Sequence, residues 1–296
     1  MPISRGFNAM RDVVIVARNT PEALELAEWT GDYIERTRPG KTRTLLDISE
    51  YNQDLLESQA HIPVNFEPEL IVSIGGDGTI LYASRCWALN GSPILGVNMG
   101  RLGFLAEVEK SRFEEMLELT LENKAPVEER SCLSVSVHRE GSKLTSIPFL
   151  NDAVIHKGGL ARILNIRLSV DNSQGWSYRA DGLIVATTTG STAYNLSAGG
   201  PVLYPSLEAF VLTPICPFAL SSRSLVLPLD SRIEIVVEQN TSAVNLTTDG
   251  QSGLSLKTDD KVTVERSPHV VKLIKNPHNR YLDNLQRKLG LFQKNR

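Results

Sequence analysis

Cysteine, excess positive charge and long apolar runs are scarce in this sequence, and each scarcity excludes a class of protein. The three cysteines, Cys86, Cys132 and Cys216, lack Cys-x-x-Cys spacing, which excludes a zinc site and a disulfide framework and favours a reducing compartment. Lysine and arginine total 31 against 34 acidic residues, too few to track a nucleic-acid backbone. The N-terminus lacks the apolar run of a signal peptide, and prolines interrupt the most apolar later stretch. We expect a cytoplasmic protein with neither nucleic-acid nor membrane partners.

The composition is otherwise that of an ordinary globular chain. Hydrophobic residues make up 41% and charged residues 22%, which argues against disorder and against a fibrous protein. The 296 residues exceed the usual span of one domain, so we expect two domains. The five histidines show no metal-ligand spacing, and no metal-ligating residue is assigned.

Short apolar runs alternate with longer amphipathic runs in the first third of the chain, the pattern of strands joined by crossover helices. Strands are predicted at residues 13–17, 44–46, 70–74 and 94–97. Thr20 and Pro21 predict the start of a helix, and Ser111 with Glu114 predicts a capping box for a helix that begins at Arg112. We expect residues 1–126 to form a Rossmann-like α/β nucleotide-binding domain.

After Pro126 the apolar residues alternate with polar ones, which predicts strands with one buried face. Such alternation occurs at 133–137 and 164–170, and further strands are predicted at 232–237, 261–265 and 270–274. We expect residues 127–275 to form an antiparallel, β-rich and sandwich-like domain. The leucines at 282, 285 and 289 predict a helix within residues 276–296 that returns to pack on the first domain.

A glycine-rich loop follows the predicted strand at 70–74 and precedes a helix-like run at 80–89. Its sequence is Gly75-Gly76-Asp77-Gly78-Thr79, in which glycines allow positive φ and close approach of the backbone to a phosphate at a helix N-terminus. A carboxylate inside such a loop suits removal of a proton from an attacking hydroxyl, or binding of Mg²⁺. The alternative is an ordinary tight turn. The loop is neither a Walker A motif nor a Gly-x-Gly-x-x-Gly fingerprint, which disfavours a hydride-transfer enzyme.

Two further segments carry unusual polar residues. A predicted buried strand runs from Asp181 into a series of small hydroxyl residues that ends at Pro201, and these groups can line a polar pocket in which Tyr194 faces a nucleobase. The alternative is a Ser/Thr-rich loop. Asn151 and Asp152 interrupt an otherwise apolar strand, which favours a functional role for the pair.

Taken together, these segments resemble the NAD kinase family, in its bacterial type. The motif at 75–79 is shared with diacylglycerol-kinase-like and sphingosine-kinase-like enzymes, whereas the run at 181–201 is specific to NAD kinases. Segments 98–105, 213–217 and 249–251 are similar to family segments in family order. The resemblance implies an NAD kinase that phosphorylates the 2′-hydroxyl of the adenosine ribose of NAD to give NADP, assembled as a homodimer or homotetramer.

The resemblance also implies roles for individual residues. Asp77 would be the general base, and Gly75, Gly76, Gly78 and Thr79 would form the phosphate loop. Mg²⁺ or another divalent cation would act with ATP, another nucleoside triphosphate or polyphosphate as the phosphoryl donor. The implied NAD-binding residues are Asp77, Gly78, Asn151, Asp152, Arg162, Arg179, Asp181, Thr192, Ala193, Tyr194, Asn195, Leu196, Ser197 and Gln251.

Four positions depart from the usual pattern of the family. Asp152 stands where glutamate is common, Thr188 and Ser224 stand where proline is usual, and Phe218 stands where histidine is frequent. Two alternative functions remain open at this point. A lipid kinase would use the same glycine loop and would show an exposed apolar surface for membrane contact. A non-catalytic dinucleotide-binding regulator would keep the pocket and form no NADP.

Overall fold

A computed structural model describes residues 12–39, 42–47, 68–87, 89, 91–100, 103–158, 163–238, 243–250 and 252–290. These residues fall into two compact units. The first contains the described residues up to Glu129 and those from Val271 onward, and the second contains the described residues of Arg130–Val270.

The first unit has a parallel sheet at its centre. Its strands are β1 (Asp12–Ala17), β2 (Thr42–Asp47), β3 (Leu70–Gly75), β4 (Ile94–Asn98) and β5 (Val108–Glu109). Their order in the sheet is β2-β1-β3-β4, and the short β5 pairs with β4. The first three helices are α1 (Pro21–Thr37), α2 (Asp77–Cys86) and α3 (Phe113–Leu121). The four strands predicted in this part of the chain are confirmed.

Continuous apolar runs explain why β3 and β4 lie inside the sheet. Every residue of both strands is buried, as expected for parallel strands covered on both faces. The helix predicted at Thr20 and Pro21 is α1, and its residues at 23, 27, 30 and 34 are buried as their spacing indicates.

The predicted capping box at Ser111 is wrong. Residues Lys110–Arg112 form a 3₁₀ turn, Arg112 occupies the N-cap position of α3, and no side chain caps that helix. The extra turn removes Ser111 from the position where its hydroxyl could reach the first free N–H groups. The helix after the glycine loop also begins earlier than predicted, because Asp77 is itself the first residue of α2.

The second unit is built mainly from antiparallel strands. They are β6 (Val127–Arg139), β7 (Ser142–Phe149), β8 (Asp152–Lys157), β9 (Leu164–Val170), β10 (Trp176–Ala180), β11 (Gly182–Thr187), β12 (Ala209–Ile215), β13 (Leu225–Pro228), β14 (Ile233–Glu238), β15 (Val244–Thr248), β16 (Ser252–Leu256) and β17 (Lys261–Ile274). The first three residues of β6 and the last four of β17 belong to the first unit. One sheet has the order β13-β12-β11-β8-β15-β16, and the other contains β10-β9-β14-β17 together with β6 and β7. A short helix, α4 (Tyr194–Ser197), follows β11.

Side chains from both of these sheets share one buried apolar core, which gives the expected sandwich. Leu133, Leu164, Ile166 and Leu183 are among its fully buried members. The alternation predicted for 133–137 and 164–170 is therefore confirmed, with Val170 partly buried against the same core. The strands predicted at 261–265 and 270–274 are a single strand, β17, which continues through the exposed Pro268.

The C-terminal helix α5 (Tyr281–Leu289) belongs to the first unit. Leu285 is buried, but Leu282 is 58% exposed, so the predicted leucine stripe is wrong at that position; Asn284 is buried instead. Gly290 ends the helix in the left-handed conformation that favours glycine, and its N–H donates to the carbonyl of Gln286 at 3.0 Å. Among the helices that the structure describes, none has the length and apolar character needed to cross a membrane.

Candidate active site

The glycine loop joins β3 to α2 and leaves part of its backbone open. A Cβ on Gly75 would lie 2.2 Å from Oγ1 of Thr79, so only glycine fits there, whereas a Cβ on Gly76 or Gly78 would meet nothing within 4 Å. Gly76 has an extended backbone with φ of −152°, so the positive φ expected from the sequence is wrong for this residue. The loop therefore uses its glycines for close packing on one side and for an accessible backbone on the other.

Asp77 is fixed by three consecutive backbone N–H groups. Phe104 donates to its Oδ2 at 2.9 Å, and Leu105 and Ala106 donate to its Oδ1 at 3.1 and 3.0 Å. A Cβ on Gly103 would lie 1.8 Å from Oδ1, so the clamp requires glycine at that position. A carboxylate has about four lone-pair sites, and these three bonds leave one site on Oδ2. Asp77 is thus rigidly oriented and still able to accept a proton.

A lysine from α5 lies close to this carboxylate. Nζ of Lys288 is 4.3 Å from the centre of the Phe104 ring, a cation–π contact, and the backbone of Phe104 is part of the Asp77 clamp. Partial burial lowers the pKa of Lys288, and the negative charge of Asp77 opposes that shift. Nothing in the sequence pattern indicated this lysine, because 211 positions of chain separate it from Asp77 and only the docking of α5 joins them.

A second carboxylate clamp lies in the second unit, at the turn that carries Asn151 and Asp152. Leu150 donates its N–H to Oδ2 of Asp249 at 3.1 Å, and Asn151 and Asp152 donate theirs to Oδ1 at 2.7 and 3.2 Å. The N–H of Asp249 in return donates to the carbonyl of Asp152 at 2.9 Å. Asp249 lies in the turn between β15 and β16 with a left-handed φ of 50°.

Asp152 is a buried acid with an unusual proton affinity. The residue is 5% exposed. Burial, and secondly the negative charge of Asp249, raise the pKa of Asp152 to about 7. Near neutral pH a large fraction of this carboxyl group therefore carries a proton and can donate a hydrogen bond.

A cavity of about 640 Å³ brings five of the predicted NAD-binding residues together. They are Asn151, Asp152, Asp181, Ala193 and Tyr194. Tyr194 is 46% exposed, so its ring is available to a ligand. The side chains of β8 at 152, 154 and 156 point to the cavity, whereas those at 153 and 155 belong to the sandwich core.

Three titratable residues that line this cavity are absent from the predicted set. His156 follows from the alternation along β8, which could have identified it. Lys157 forms an ion pair of 2.6 Å with Oδ1 of Asp181, a contact that no local pattern indicates. Asp249 was noted in a family segment without a role, since an Asp-Gly pair is also what a hairpin turn requires.

The other predicted residues of the 192–197 segment lie around a 3₁₀ turn and α4. Thr192 and Leu196 are half-buried and Ser197 is exposed. Asn195 is fully buried: its Nδ2 donates to the carbonyls of Ser191 and Pro201, both at 3.0 Å, and its Oδ1 accepts from Thr213 at 2.6 Å. The amide of Asn195 therefore holds this segment together and does not face the cavity.

The remaining predicted residues lie elsewhere. Arg179 is exposed on β10, and its guanidinium is 4.9 Å from the centre of the Phe218 ring. Arg162 and Gln251 lie outside the described residues. Among the residues that the structure describes, no group of three or more His, Cys, Asp or Glu side chains is arranged to hold a metal ion.

The positions that depart from the family pattern have ordinary structural partners. Thr188 is buried and donates to the carbonyl of Pro205 at 3.1 Å, and the hydroxyls of Ser224 and Thr213 are hydrogen-bonded at 2.9 Å. Phe218 is exposed and contacts the guanidinium of Arg179.

Two family models match most of the chain. The model of the ATP-NAD kinase N-terminal domain matches residues 33–125, and that of the ATP-NAD kinase C-terminal domain matches residues 150–276. A relative named NAD kinase, from Desulfatibacillum aliphaticivorans, is 38% identical over 285 residues, which cover 95% of this chain and 98% of the relative. This chain belongs to the NAD kinase family.

Other members of the NAD kinase family are also similar to this chain. A relative named NAD kinase from Koribacter versatilis is 45% identical over 207 residues, covering 70% of the chain and 73% of the relative. The crystal structure of a yeast NADH kinase complexed with NADH is 27% identical, with a TM-score of 0.85, and covers 98% of this chain and 90% of that one. An NAD kinase from Archaeoglobus fulgidus in complex with ATP is 28% identical, with a TM-score of 0.70, over 94% and 97% of the two chains. The chain is an enzyme, a kinase of this family.

Proposed function

We propose that this kinase phosphorylates the 2′-hydroxyl of the adenosine ribose of NAD to give NADP, with Asp77 as the general base. The observation that carries the proposal is the Asp77 clamp. Three N–H bonds fix the carboxylate beside an open glycine loop, and one lone pair of Oδ2 remains for a substrate hydroxyl. Orientation of this kind supports proton removal, because a general base must lie within hydrogen-bond reach of its proton.

In the proposed reaction Asp77 accepts the hydroxyl proton while the ribose oxygen forms a bond to the terminal phosphorus of the donor. The bond between that phosphorus and its bridging oxygen breaks, and the shortened donor leaves with the electron pair. The rest of the catalysis comes from alignment, since phosphoryl transfer needs little covalent help from the protein.

The cavity of the second unit supports recognition of a dinucleotide. Asn151, Asp152 and Asp181 offer donors and acceptors to sugar hydroxyls or to an adenine edge, and the Tyr194 ring offers a stacking surface. The yeast relative is complexed with NADH, a ligand of the same chemistry. The proposal extends to the rest of the implied NAD-binding set, namely Gly78, Arg162, Arg179, Thr192, Ala193, Asn195, Leu196, Ser197 and Gln251, with Asn195 acting through its internal bonds.

ATP, another nucleoside triphosphate or polyphosphate is the proposed phosphoryl donor, and Mg²⁺ or another divalent cation is the proposed metal. The Archaeoglobus fulgidus relative is in complex with ATP. The accessible backbone at Gly76 and Gly78 and the ammonium group of Lys288 support binding of phosphates in the first unit. The substrate hydroxyl occupies the one free carboxylate site of Asp77 in this proposal, so a Mg²⁺ ion would be held by donor phosphates and water. Such an ion would supply neutralisation of phosphate charge.

A homodimer or homotetramer is also proposed. The edge strand β13 carries the exposed side chains of Leu225 and Val226, and the segment before it exposes Phe218 and Leu220, the latter at 92%. An apolar sheet edge of this kind is typical of an interface. Val226→Lys is expected to lower the mass measured by light scattering after size exclusion; an unchanged mass would exclude this edge as the interface.

The free cysteines Cys86, Cys132 and Cys216 support a reducing compartment, and we propose the cytoplasm.

The test is product formation by the purified protein with NAD, Mg²⁺ and a panel of phosphoryl donors. An NADP-specific dehydrogenase reports the product, and a parallel series replaces NAD with NADH. Diacylglycerol and sphingosine serve as lipid acceptors, because the apolar edge is also what a lipid kinase would expose. Absence of NADP at a large excess of protein, or product with a lipid acceptor alone, would refute the proposal.

A further inference from the structure

We propose that Asp249 is a positioning residue of the dinucleotide cavity, whose carboxylate holds the turn before β8 so that the side chains of Asn151 and Asp152 face the ligand. The inference rests on the proposed function in one respect, which is that the ligand is taken to be NAD. No role beyond that of a hairpin residue follows from the sequence around Asp249.

The first argument is the bonding at the turn. Three consecutive N–H groups, those of residues 150–152, donate to the Asp249 carboxylate at 3.1, 2.7 and 3.2 Å, and the N–H of Asp249 donates back to the carbonyl of Asp152 at 2.9 Å. Four bonds therefore join two segments that are about a hundred positions apart. A single residue thus determines the backbone from which two ligand-facing side chains project.

The second argument is the position of Asp249 itself. Strand β15 pairs with β8 so that Thr248 lies opposite Ala153, which places the next residue beside the start of β8. Asp249 and Gly250 then turn with φ of 50° and 63°. Aspartate tolerates this left-handed backbone better than most side chains do. The sheet register and the turn together aim the carboxylate at the N–H groups.

The third argument is the charge that Asp249 brings to the cavity. The charged and titratable groups that line the cavity with Asp152 are Asp249, His156, Lys157, Asp181 and Tyr194. Lys157 and Asp181 form an ion pair with each other at 2.6 Å. Asp249 acts together with burial to raise the pKa of Asp152 to about 7, so that the protonated carboxyl group can donate to an acceptor atom of the ligand.

The experiment compares Asp249→Asn with Asp171→Asn as a matched control. Asp171 also has a left-handed backbone, with φ of 48°, and its carboxylate accepts the N–H of Arg232 at 2.7 Å, but it does not line the cavity of Asn151 and Asp152. NAD binding is measured by calorimetry over a pH range on both sides of neutrality. Amide hydrogen exchange at residues 150–152 is followed in the same proteins without ligand, and thermal melting confirms that each variant is folded.

Asp249→Asn is expected to weaken NAD binding by about tenfold, because the amide cannot reproduce all three bonds. Binding of NAD by the wild type is expected to weaken as pH rises through about 7, where Asp152 loses its proton. In the variant this midpoint moves to lower pH, since the like charge is gone. Exchange at 150–152 becomes faster. Asp171→Asn shows none of these changes.

Unchanged exchange at 150–152 in Asp249→Asn would overturn the positioning role, whether or not NAD binds. An unchanged pH midpoint alongside faster exchange would overturn the electrostatic part. If the wild type fails to bind NAD while exchange at 150–152 accelerates only in Asp249→Asn, the proposed substrate is wrong and the positioning role stands. A purely structural role would lower the melting temperature of Asp249→Asn and leave both the affinity for NAD, measured well below that temperature, and its pH midpoint at the wild-type values.

Discussion

The two units each contain a carboxylate that accepts three consecutive backbone N–H groups, and the two clamps have the same pattern. In both, the first N–H donates to Oδ2 and the next two donate to Oδ1. Asp77 begins a helix, beside open glycines and the Lys288 ammonium. Asp249 lies in a hairpin turn beside a second carboxylate, Asp152. Identical bonding thus supports different chemistry, because the neighbours of each carboxylate differ.

The largest effect is expected from Asp77→Asn. Turnover should fall by about 10² to 10⁴-fold, because the amide cannot accept the hydroxyl proton. The variant also turns an NH₂ group toward one backbone N–H, so we expect the free energy of unfolding to fall by about 1 to 3 kcal/mol. Turnover is measured by the NADP assay, and urea denaturation and NAD calorimetry are run on the same protein. A folded variant within tenfold of wild-type turnover would contradict the role of Asp77.

Glycine substitutions beside each clamp distinguish the kinetic roles of the two clamps. The Cβ in Gly103→Ala would lie 1.8 Å from Oδ1 of Asp77, and the Cβ in Gly190→Ala would lie 2.0 Å from the carbonyl oxygen of Asn151. Each is expected to destabilise the fold by about 1 to 3 kcal/mol. We expect Gly103→Ala to lower kcat and Gly190→Ala to raise the KM for NAD. Steady-state kinetics and urea denaturation provide the measurements.

Gly100→Ala is the control for these two variants, since a Cβ there would meet nothing within 4 Å. It should match the wild type in stability and kinetics. If Gly103→Ala and Gly190→Ala changed the same kinetic constant, the distinction between the two clamps would be lost.

The pH dependence of stability tests the environment of Asp152. Its pKa is about 7 in the folded protein and 3.8 ordinarily, so the folded state holds a proton that the unfolded chain releases. The stability that this proton contributes is therefore fully present below about pH 4 and declines as pH rises toward 7, by up to ~1.4 kcal/mol per pH unit. Asp152→Asn should remove this slope. Urea denaturation at several pH values measures it, and an identical slope in the variant would show that Asp152 is not the group responsible.

The smallest effect is expected from Lys288→Gln. Loss of one positive charge beside the glycine loop should raise the KM for the phosphoryl donor by about three- to tenfold, while the KM for NAD stays the same. Lys288→Arg should restore part of the effect. Lys124→Gln is the control, because Lys124 is exposed and pairs with its near neighbour Glu122 at 2.7 Å. An equal rise in both KM values would point to a general change in the first unit.

Local patterns predicted the strands better than they predicted the clamps. The runs in β3 and β4 are apolar almost throughout, and the alternation in β6 and β9 has a period of two. Each of these strands can therefore be predicted from a few consecutive residues of its own sequence. The clamp on Asp77 joins residues up to 29 positions apart, and that on Asp249 joins residues up to 99 apart. Such contacts depend on sheet register, which a single strand does not specify.

The errors have physical causes of the same kind. Ser111 has the right spacing for an N-cap residue, but it lies inside the 3₁₀ turn Lys110–Arg112, and α3 begins only after that turn. Leu282 continues a helical stripe, but α5 contacts its surroundings through Asn284 and Leu285. The bonds of Asn195 are equally hidden from the sequence: it is predicted to bind NAD and uses both its amide nitrogen and its oxygen within the protein, and its part in binding stays a prediction.

The internal bonding of Asn195 has a consequence for how fast the enzyme can load its substrate. A Cβ on Gly200 would lie 2.0 Å from the Asn195 oxygen, so bonds and close packing within the protein itself hold the segment around this amide. A segment that is already assembled loses little conformational entropy when a ligand binds beside it. Association should then follow simple one-step kinetics, with a rate proportional to dinucleotide concentration and no slower rearrangement after the first encounter.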